Sequence, residues 1–339
     1  MESTLKIAVV GTGYWGKNLV RNFASLPSVE LVEICDQNPT IRKRMANLYP
    51  GVRITKELDE VLANPDVEAV ALVTPAKLHS KQAVQVLHAG KHVYVEKPLG
   101  LSAAEAQEVV RVADQTGRIA MVGHMLCYHP AVRAIKELID SGQIGDIFYM
   151  YAQRVNLGRL RQDENALWSF GPHDLSVMLY LTGQTPDTVA ARGRAYLQEG
   201  IEDVVFVNLT FPSGIMAQVQ LSWLDPRKVR KLTLVGSKKM IEFDDTHPSE
   251  KLRIFDKGFE RPPEFSSYGE YLSIRQGDIL IPRVEMTEPL KIELNHFVDS
   301  CLSNQRPLTD ANNGLEVTKI LEAAQTSMMQ GGKPVTIHR

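Results

Sequence analysis

The sequence predicts an α/β protein with two domains. The first is a doubly wound parallel sheet, and the second is an α+β domain with a large, mostly antiparallel open sheet. Strand-like apolar runs alternate with helical patterns up to about residue 123, and after residue 128 short runs with a period of two replace them. A chain of 339 residues is also too long for one ordinary core. We therefore predict domains at residues 1–124 and 125–339.

The first strand leads directly into a glycine-rich turn. The apolar run Ile7–Val10 is followed by Gly11, Gly13 and Gly16, and a helical pattern comes next. These glycines would allow the tight turn, let the backbone approach a pyrophosphate and let the helix pack on the strand. The N–H groups at the helix start favour an anion. The pattern predicts a Rossmann-type dinucleotide site whose loop also contains Thr12, Tyr14 and Trp15.

Asp36 ends the second strand, 20 residues beyond Gly16. This is where a dinucleotide fold places the acid that binds the adenosine ribose hydroxyls. A carboxylate would repel a ribose phosphate, so we predict that the cofactor is NAD rather than NADP. Two alternatives stay open: Asp36 only caps the next helix, or one of the cations at residues 42–44 turns back toward a phosphate.

The βαβ pattern continues through residues 29–35, 52–55, 69–73, 91–96 and 118–123. Ligands of such sheets bind beyond the carboxyl ends of the strands. We therefore expect one crevice, with cofactor contacts from Thr74, Pro75, Glu96, Lys97 and His124.

Two motifs at these strand ends carry more information than the glycines. In Glu96-Lys97-Pro98 the proline restricts the lysine to an extended conformation, which directs its side chain at the crevice. In Thr74-Pro75-x-x-x-His79 a hydroxyl and an imidazole lie one helical turn apart, so we also assign His79 to the cofactor. The alternatives are an exposed surface lysine and a histidine on a helix surface.

Composition excludes several other classes. The net charge of −2 gives no reason to expect nucleic acid or an anionic membrane as a partner. The three cysteines are far apart, which argues against a disulfide framework and a metal site. The chain shows no signal-peptide pattern and no apolar run of membrane-spanning length. We expect a cytoplasmic enzyme without a metal.

The second domain shows a different organisation. After a helix at residues 130–141, strand patterns follow at residues 147–156, 189–196, 203–211, 215–223, 230–235, 239–243 and 251–255. This predicts a sheet of about six to eight strands. Two closing helices are expected at residues 290–303 and 314–330. Residues 256–286 show no clear pattern, and we expect an irregular excursion near a site or a subunit interface, or a plain surface loop.

The polar chemistry of the second domain is concentrated in Leu167–Gly183. Gly171-Pro172 opens a helix, His173 follows in its first turn, and Asp174 suits a helix N-terminus. Upstream, guanidinium and amide groups that suit a diphosphate come from Arg154, Asn156, Arg159 and Arg161. A second basic run, residues 227–231, is better explained as a solvated charge run.

These motifs together resemble a known family. The segments KIAVVGTGYWG, ICD, VTPAKLHSKQA, VYVEKPLG and VGHMLCYHPAV, in this order, are similar to the glucose–fructose oxidoreductase / inositol dehydrogenase / MocA-like family. The resemblance implies an NAD-binding domain, then a domain whose open sheet covers the nicotinamide and forms subunit contacts. It implies Lys97 and His173 as active-site residues. Many members have Asp-x-x-x-His-x-x-x-Asp here, whereas this chain has Ser169 and Ser176 at nearby positions.

The segment Trp-Ser-Phe-Gly-Pro-His-Asp resembles the corresponding segment of a subgroup that oxidises UDP-N-acetylglucosamine at its 3-hydroxyl. The resemblance implies hydride transfer to NAD, with Trp168 at the cofactor and Tyr128 at the substrate. His173 would act as general acid/base and Lys97 would stabilise negative charge on the same oxygen, or the two would exchange roles.

The product would enter amino-sugar synthesis for cell-envelope glycolipid. A homodimer or homotetramer is expected. The alternatives are another UDP-sugar, a deoxyketosugar or inositol as substrate, or a non-catalytic cofactor-binding regulator.

Overall fold

The computed structural model describes residues 4–158, 160–162, 164–260 and 273–338. Contacts divide the chain into two compact units, Met1–Tyr128 with Thr287–Glu322, and His129–Met286 with Ala323–Arg339. The segment Thr287–Glu322 follows eight of the nine strands of the second sheet in the sequence but packs with the first unit. Sequence periodicity did not indicate this, because it identifies a helix without identifying the sheet that the helix covers.

The first unit contains a six-stranded parallel sheet in the order β3-β2-β1-β4-β5-β6. Its strands are β1 (Leu5–Val10), β2 (Val29–Cys35), β3 (Arg53–Thr55), β4 (Ala69–Leu72), β5 (His92–Val95) and β6 (Ala120–Val122). The order reverses between β1 and β4, so the doubly wound fold predicted from the sequence is confirmed.

Helices cover this sheet. They are α1 (Gly16–Phe23), α2 (Pro39–Leu48), α3 (Leu58–Ala63), α4 (His79–His88) and α5 (Ala103–Thr116). The later part of the chain adds α8 (Pro289–Ser303) and the first part of α9 (Ala311–Met329). Every residue of β4 and β5 is buried, as expected for central strands of a parallel sheet covered on both faces.

The second unit contains a nine-stranded sheet in the order β14-β13-β12-β11-β7-β10-β9-β8-β15. Its strands are β7 (Ile147–Val155), β8 (Thr188–Arg194), β9 (Val204–Thr210), β10 (Met216–Ser222), β11 (Val229–Gly236), β12 (Met240–Asp244), β13 (Leu252–Glu260), β14 (Ser273–Leu280) and β15 (Val335–Thr336). Only β7 and β10 pair in parallel among these neighbours. The predicted open, mostly antiparallel sheet is therefore confirmed.

The two faces of this sheet differ. On one face lie helices α6 (Pro130–Asp140) and α7 (Ala166–Thr182), and α7 packs against β7, β9 and β10. The other face carries exposed large side chains, namely Tyr149, Tyr151, Phe206 and Met216. The rings of Tyr149 and Tyr151 stack with their centroids 6.4 Å apart. The alternation of buried and exposed residues along β9 and β10 reflects this difference.

The expectation of an irregular excursion at residues 256–286 is wrong in part. Strand β13 continues to Glu260 and pairs antiparallel with β14, which begins at Ser273. Polar and charged residues interrupt the apolar alternation in both strands, which is why the sequence pattern predicted only the start of β13, at residues 251–255, and none of β14. Residues 261–272 lie outside the described part of the chain. Among the described residues, no helix is both long enough and apolar enough to cross a membrane.

Candidate active site

The glycine turn after β1 has the shape that the sequence predicted. Gly11 has a φ of +88°, and a Cβ there would lie 2.7 Å from the carbonyl oxygen of Val73. A Cβ on Gly16 would lie 1.9 Å from the carbonyl oxygen of Gly11. The fold itself therefore requires these two glycines. A Cβ on Gly13 would meet no protein atom within 4 Å, so the fold leaves this side of the loop open.

Asp36 connects the end of β2 to this loop. One carboxylate oxygen accepts hydrogen bonds from the backbone N–H of Thr12 at 2.8 Å and from its hydroxyl at 3.3 Å. The other oxygen accepts from the backbone N–H of Asn38 at 2.8 Å. Arg42 turns back and donates to the backbone carbonyls of Asp36 and Gln37. Its guanidinium is thus bound to the main chain beside Asp36.

A cleft of about 720 Å³ opens beside this loop. It brings together Gly11, Gly13, Asp36, Thr74 and Pro75, which are all predicted cofactor residues. At the helix start beside the cleft, the first turn of α1 contains no acidic residue and has no side-chain cap, which leaves its N–H groups to an anion. The cleft suits a dinucleotide such as NAD because of its size, the glycine loop beside it and the Asp36 carboxylate that lines it.

His79 does not have the position expected for a cofactor contact. Its two ring nitrogens lie 2.7 Å from the carbonyl oxygens of Thr74 and Pro98. The imidazole is buried and joins the segments that follow β4 and β5. Both ring nitrogens are occupied, so the ring has no further group for a hydrogen bond to a cofactor. Thr74 remains at the cleft, where its hydroxyl donates to the side-chain oxygen of Gln82 at 2.6 Å.

Glu96 is hydrogen-bonded to the glycine loop. The indole N–H of Trp15 donates to its carboxylate at 2.6 Å, and the backbone N–H of Lys97 donates at 3.3 Å. Burial raises the pKa of the Glu96 carboxyl, and the Trp15 bond and the Lys97 charge oppose this more weakly. The Lys97-Pro98 peptide bond is cis. Trp15, Glu96 and Lys97 thus form one connected group in the first unit.

Behind Glu96 lies a second carboxyl group that the sequence analysis missed. Glu293 of α8 is fully buried and accepts a hydrogen bond from the Tyr94 hydroxyl at 3.0 Å. Its other oxygen is buried without a hydrogen-bond partner among the described residues. Burial, and then the charge of Glu96, raise the pKa of Glu293 well above its ordinary value. A glutamate among the apolar residues of the buried face of α8 was the available signal.

His124 lies just beyond β6 and is almost fully buried. Its Nδ1 lies 2.7 Å from the side-chain oxygen of Asn313. Burial lowers the pKa of His124 to about 4, and the charge of Lys97 acts in the same direction. The imidazole is therefore neutral near pH 7 and can donate to Asn313 while its other nitrogen accepts.

Tyr128 was expected to contact the substrate, but it is a core residue of the first unit. Its side chain is fully buried, and its hydroxyl lies 3.1 Å from the hydroxyl of Thr309. Burial raises the pKa of the Tyr128 hydroxyl strongly. The residue comes two positions before the start of α6, and the sequence pattern could not distinguish a core tyrosine from a site tyrosine.

In the second unit, α7 carries His173. Asn165 caps this helix by accepting a hydrogen bond from the backbone N–H of Trp168, and Pro172 lies inside the helix rather than at its start. His173 and Trp168 are both partly exposed. The expectation that Gly171-Pro172 opens the helix is therefore wrong, because α7 begins at Ala166.

The guanidinium of Arg154, which we expected to bind the substrate, is not available for this. Its Nε and Nη2 donate to the two carboxylate oxygens of Asp174, at 2.5 and 3.0 Å, and both residues are buried. This bidentate ion pair joins β7 to the turn of α7 that contains His173. Breaking such a pair on one side costs about 3–5 kcal/mol. Arg154 therefore positions this turn of α7.

The other predicted substrate residues differ in environment. Arg161 is exposed and pairs with Glu164 at 2.9 Å. The side-chain oxygen of Asn156 accepts a hydrogen bond from Arg230. Arg159 lies outside the described residues. Tyr14 is the most exposed residue of the glycine loop, and the ammonium of Lys17 lies 5.5 Å from its ring centroid.

A doubly wound unit with this glycine loop, in a chain that also contains an open, mostly antiparallel sheet, is typical of a dinucleotide-dependent oxidoreductase. Family models confirm this class. The model of the oxidoreductase family with an NAD-binding Rossmann fold matches residues 5–124, and that of the GFO/IDH/MocA C-terminal domain matches residues 132–242. The chain belongs to the GFO/IDH/MocA family, and it is an NAD-binding oxidoreductase.

Individual proteins are similar at low identity. The scyllo-inositol 2-dehydrogenase (NAD(+)) of Bacillus subtilis is 26% identical over 99% of this chain and 97% of its own length. The WlbA dehydrogenase of Bordetella pertussis, solved with NADH and UDP-GlcNAcA, is 20% identical with a TM-score of 0.82, covering 100% of this chain and 99% of that one. The UDP-N-acetylglucosamine 3-dehydrogenase GnnA of Acidithiobacillus ferrooxidans is 22% identical with a TM-score of 0.80, covering 96% and 98%. At these identities the two structures show a common fold.

The open side of Gly13 generates a first prediction. Gly13→Ala should change the free energy of unfolding by less than about 0.5 kcal/mol, because its methyl group meets no protein atom. It should raise the Kd for NAD at least about 10-fold, because the methyl group would occupy space that a pyrophosphate needs. Urea unfolding and titration calorimetry measure the two effects.

Gly16→Ala is the matched control for Gly13→Ala. Its methyl group would collide with the Gly11 carbonyl, so it should destabilise the protein by about 1–3 kcal/mol. Wild-type affinity of Gly13→Ala for NAD would contradict the assignment of this loop to the pyrophosphate.

The buried carboxyl of Glu293 generates a second prediction. A carboxyl whose pKa is raised in the folded state stabilises the protein fully below the unfolded value near 4.5, and this contribution is lost as the pH rises through the folded value. Glu293→Gln should remove that loss and keep an acceptor for the Tyr94 hydroxyl. The stability of the variant relative to the wild type should therefore rise as the pH increases above about 5, by up to about 1.4 kcal/mol per pH unit.

Urea unfolding at a series of pH values measures this difference. The exposed Glu30→Gln provides a control for the loss of one charge. A constant difference between Glu293→Gln and the wild type would refute the raised pKa of Glu293.

Proposed function

We propose that this chain is an NAD-dependent dehydrogenase that oxidises the 3-hydroxyl of UDP-N-acetylglucosamine to the 3-keto sugar. The observation that supports the proposal most directly is the segment Trp168–Asp174, whose sequence resembles that of the enzymes with this activity. The turn that contains His173 is held by the Arg154–Asp174 ion pair. The similarity to a UDP-N-acetylglucosamine 3-dehydrogenase and to a dehydrogenase solved with a UDP-sugar supports the same substrate class.

In this proposal His173 is the general base. It takes the proton of the 3-hydroxyl. The hydrogen bonded to the carbon that bears this hydroxyl leaves with its electron pair as a hydride. When bound, NAD would supply the acceptor for that hydride. Lys97 stabilises the negative charge that develops on the oxygen. The roles of Lys97 and His173 can be exchanged, because a desolvated lysine can also act as a base.

The remaining predicted cofactor residues keep their proposed roles. The glycine loop, with Thr12, Tyr14 and Trp15, would hold the pyrophosphate, and Asp36 would bind the adenosine ribose. We propose NAD rather than NADP because the Asp36 carboxylate would face a ribose phosphate. Thr74, Pro75, Glu96, His124 and Trp168 remain proposed contacts of the cofactor, and Asn156 and Arg161 remain proposed contacts of the substrate.

Other substrates are the competing candidates. The similarity to scyllo-inositol 2-dehydrogenase favours a free polyol, and the similarity to a dehydrogenase solved with UDP-GlcNAcA favours a uronate. A deoxyketosugar and a non-catalytic regulatory role are further alternatives. A 3-keto amino sugar is a substrate for transamination, which would place the reaction in amino-sugar synthesis for cell-envelope glycolipid in the cytoplasm.

We also propose a homodimer or homotetramer. The exposed face of the sheet in the second unit carries large side chains, including the stacked Tyr149 and Tyr151, and these support a contact between copies. Light scattering in solution measures the assembly, and a monomeric protein would rule it out.

The substrate proposal predicts the outcome of a substrate panel. Purified protein is incubated with NAD and, separately, with UDP-N-acetylglucosamine, UDP-N-acetylglucosaminuronate, free hexoses and inositols. NADH should form with UDP-N-acetylglucosamine, and mass spectrometry should find a product lighter by two hydrogens. NADH formation with free polyols alone would refute the proposal.

Variants test the catalytic assignment in the same assay. Lys97→Ala and His173→Ala should each lower kcat by about 10²–10⁴-fold, because each removes a group acting on the reacting oxygen. The exposed Lys43→Ala and His88→Ala provide matched controls and should keep wild-type turnover. Full turnover by the Lys97→Ala/His173→Ala double variant would refute both roles.

A further inference from the structure

Two arginines lie side by side in the second unit. Arg230 of β11 is the direct cross-strand partner of Arg154 of β7. Like charges in directly opposed positions destabilise a sheet unless each has its own counter-charge. The Arg154 guanidinium has one, because it binds both carboxylate oxygens of Asp174.

Arg230 has no carboxylate partner among the described residues. Its Nη1 donates to the backbone carbonyls of Val155 and Val229 at 2.9 and 2.8 Å, and its Nη2 donates to the side-chain oxygen of Asn156. These acceptors are neutral and use three of the five N–H groups of a guanidinium. Within the described chain, the Nε–H and the second Nη2–H have no recorded acceptor.

The surroundings of Arg230 make this arrangement costly. Burial lowers the pKa of Arg230 to about 10, and the charge of Arg154 acts in the same direction. Asp174 and Asp245 attract it more weakly. Each of these carboxylates already lies beside another group: Asp174 pairs with Arg154, and Nε2 of His129 lies 3.4 Å from the Asp245 carboxylate. The protein thus maintains a half-buried cation with an incomplete set of partners.

The position of this cation connects it to the proposed reaction. Its guanidinium lies 4.9 Å from the ring centroid of Phe170. Phe170 is three residues before His173 on α7, so the two residues lie on the same side of the helix, one turn apart. The Phe170 ring is itself fixed edge to face by the buried Trp223, with the ring centroids 6.5 Å apart.

The four cations in the basic run after Pro226 therefore lie in three different environments. Arg227 and Lys228 are exposed, as expected of a solvated charge run. Lys231 pairs with Asp244 at 3.2 Å and with Glu242 at 3.6 Å. Arg230 alone of these four combines partial burial with the absence of a carboxylate partner in the described chain.

We propose that Arg230, oriented by Asn156, binds an anionic group of the substrate beside the turn that carries His173. This group is a carboxylate, whose oxygens lie in a plane, or a phosphate, whose oxygens form a tetrahedron. The two remaining N–H groups of the guanidinium would donate hydrogen bonds to its oxygens. Arg230 is then the specificity-determining residue that favours anionic sugars over neutral polyols. This inference rests on the proposed function only in placing the substrate at His173.

The test compares three ligands and two variants. UDP-N-acetylglucosamine carries only a diphosphate, its uronate carries a diphosphate and a carboxylate, and myo-inositol is neutral. Calorimetry on the NAD-saturated protein gives the affinity of each ligand, and steady-state kinetics gives KM and kcat separately wherever turnover occurs. Arg230→Gln removes the charge, Arg230→Lys keeps a charge without the fork, and the exposed Arg227→Gln is the matched control.

Arg230→Gln should weaken the binding of at least one anionic ligand by about 10- to 100-fold, with kcat, myo-inositol affinity and NAD affinity changed by less than about 3-fold. Arg230→Lys should lie between this variant and the wild type, and Arg227→Gln should match the wild type. Equal losses for both UDP-sugars identify the diphosphate as the partner, whereas a loss for the uronate alone identifies the carboxylate.

Undiminished binding of both UDP-sugars by Arg230→Gln, or an equal loss for myo-inositol, would overturn the inference. If Arg230→Gln does not fold, the same comparison is made with Arg230→Lys, for which wild-type affinity would overturn it. A protein that oxidises only the uronate, and needs Arg230 for it, refutes the proposed substrate but supports the anion site. If the wild type oxidises UDP-N-acetylglucosamine and Arg230→Gln binds and oxidises it equally well, the proposed substrate is supported and the anion site is refuted.

Discussion

The hydrogen bonds between Asp36 and Thr12 set the shape of the cofactor loop. Strands β1 and β2 pair in parallel with Val10 opposite Cys35, so the chain leaves both strands at the same edge of the sheet. The backbone N–H of Gly11 donates to the Cys35 carbonyl at 2.8 Å, and the next residue, Thr12, is then bound by the Asp36 carboxylate. Charge-assisted bonds of this kind are the stronger hydrogen bonds in proteins. The same carboxylate is the group proposed to face the ribose, so loop geometry and cofactor choice depend on one side chain.

The parts of this site that could be predicted are those with local sequence signals. Apolar runs between helical patterns identified all six parallel strands, and the glycine spacing identified the loop, because strand period and backbone freedom are properties of neighbouring residues. The Glu96-Lys97-Pro98 motif was also visible. Its partners were not, because Trp15 lies 81 residues from Glu96 and Glu293 lies 199 residues from Tyr94. No periodicity specifies which distant polar groups meet in a packed interior.

The errors have the same physical origin. His79 and Tyr128 both lie near strand ends, where site residues are expected, but each is committed to the protein's own structure. His79 joins two backbone segments, and Tyr128 fills the core and bonds Thr309. A buried polar group must find a partner, and in these cases the protein supplies it. Position along the chain indicates the edge of the sheet, whereas only the contacts show whether a side chain at that edge remains available to a ligand.

The same reasoning separates the two arginines of the second unit. Arg154 was the more attractive substrate residue in the sequence, yet its charge is fully used in holding the turn of α7 beside His173. A buried pair of this kind gains little stability over apolar packing, but removal of either partner leaves an isolated charge. Arg230 is in the state that such a removal would create: within the described part of the chain, this half-buried cation donates to neutral acceptors only. Its contacts to two carbonyls and an amide need donors but no charge, so a neutral donor would join these segments at a lower desolvation cost. The positive charge has no carboxylate partner among the described residues, and this is why we propose an anionic substrate as its partner.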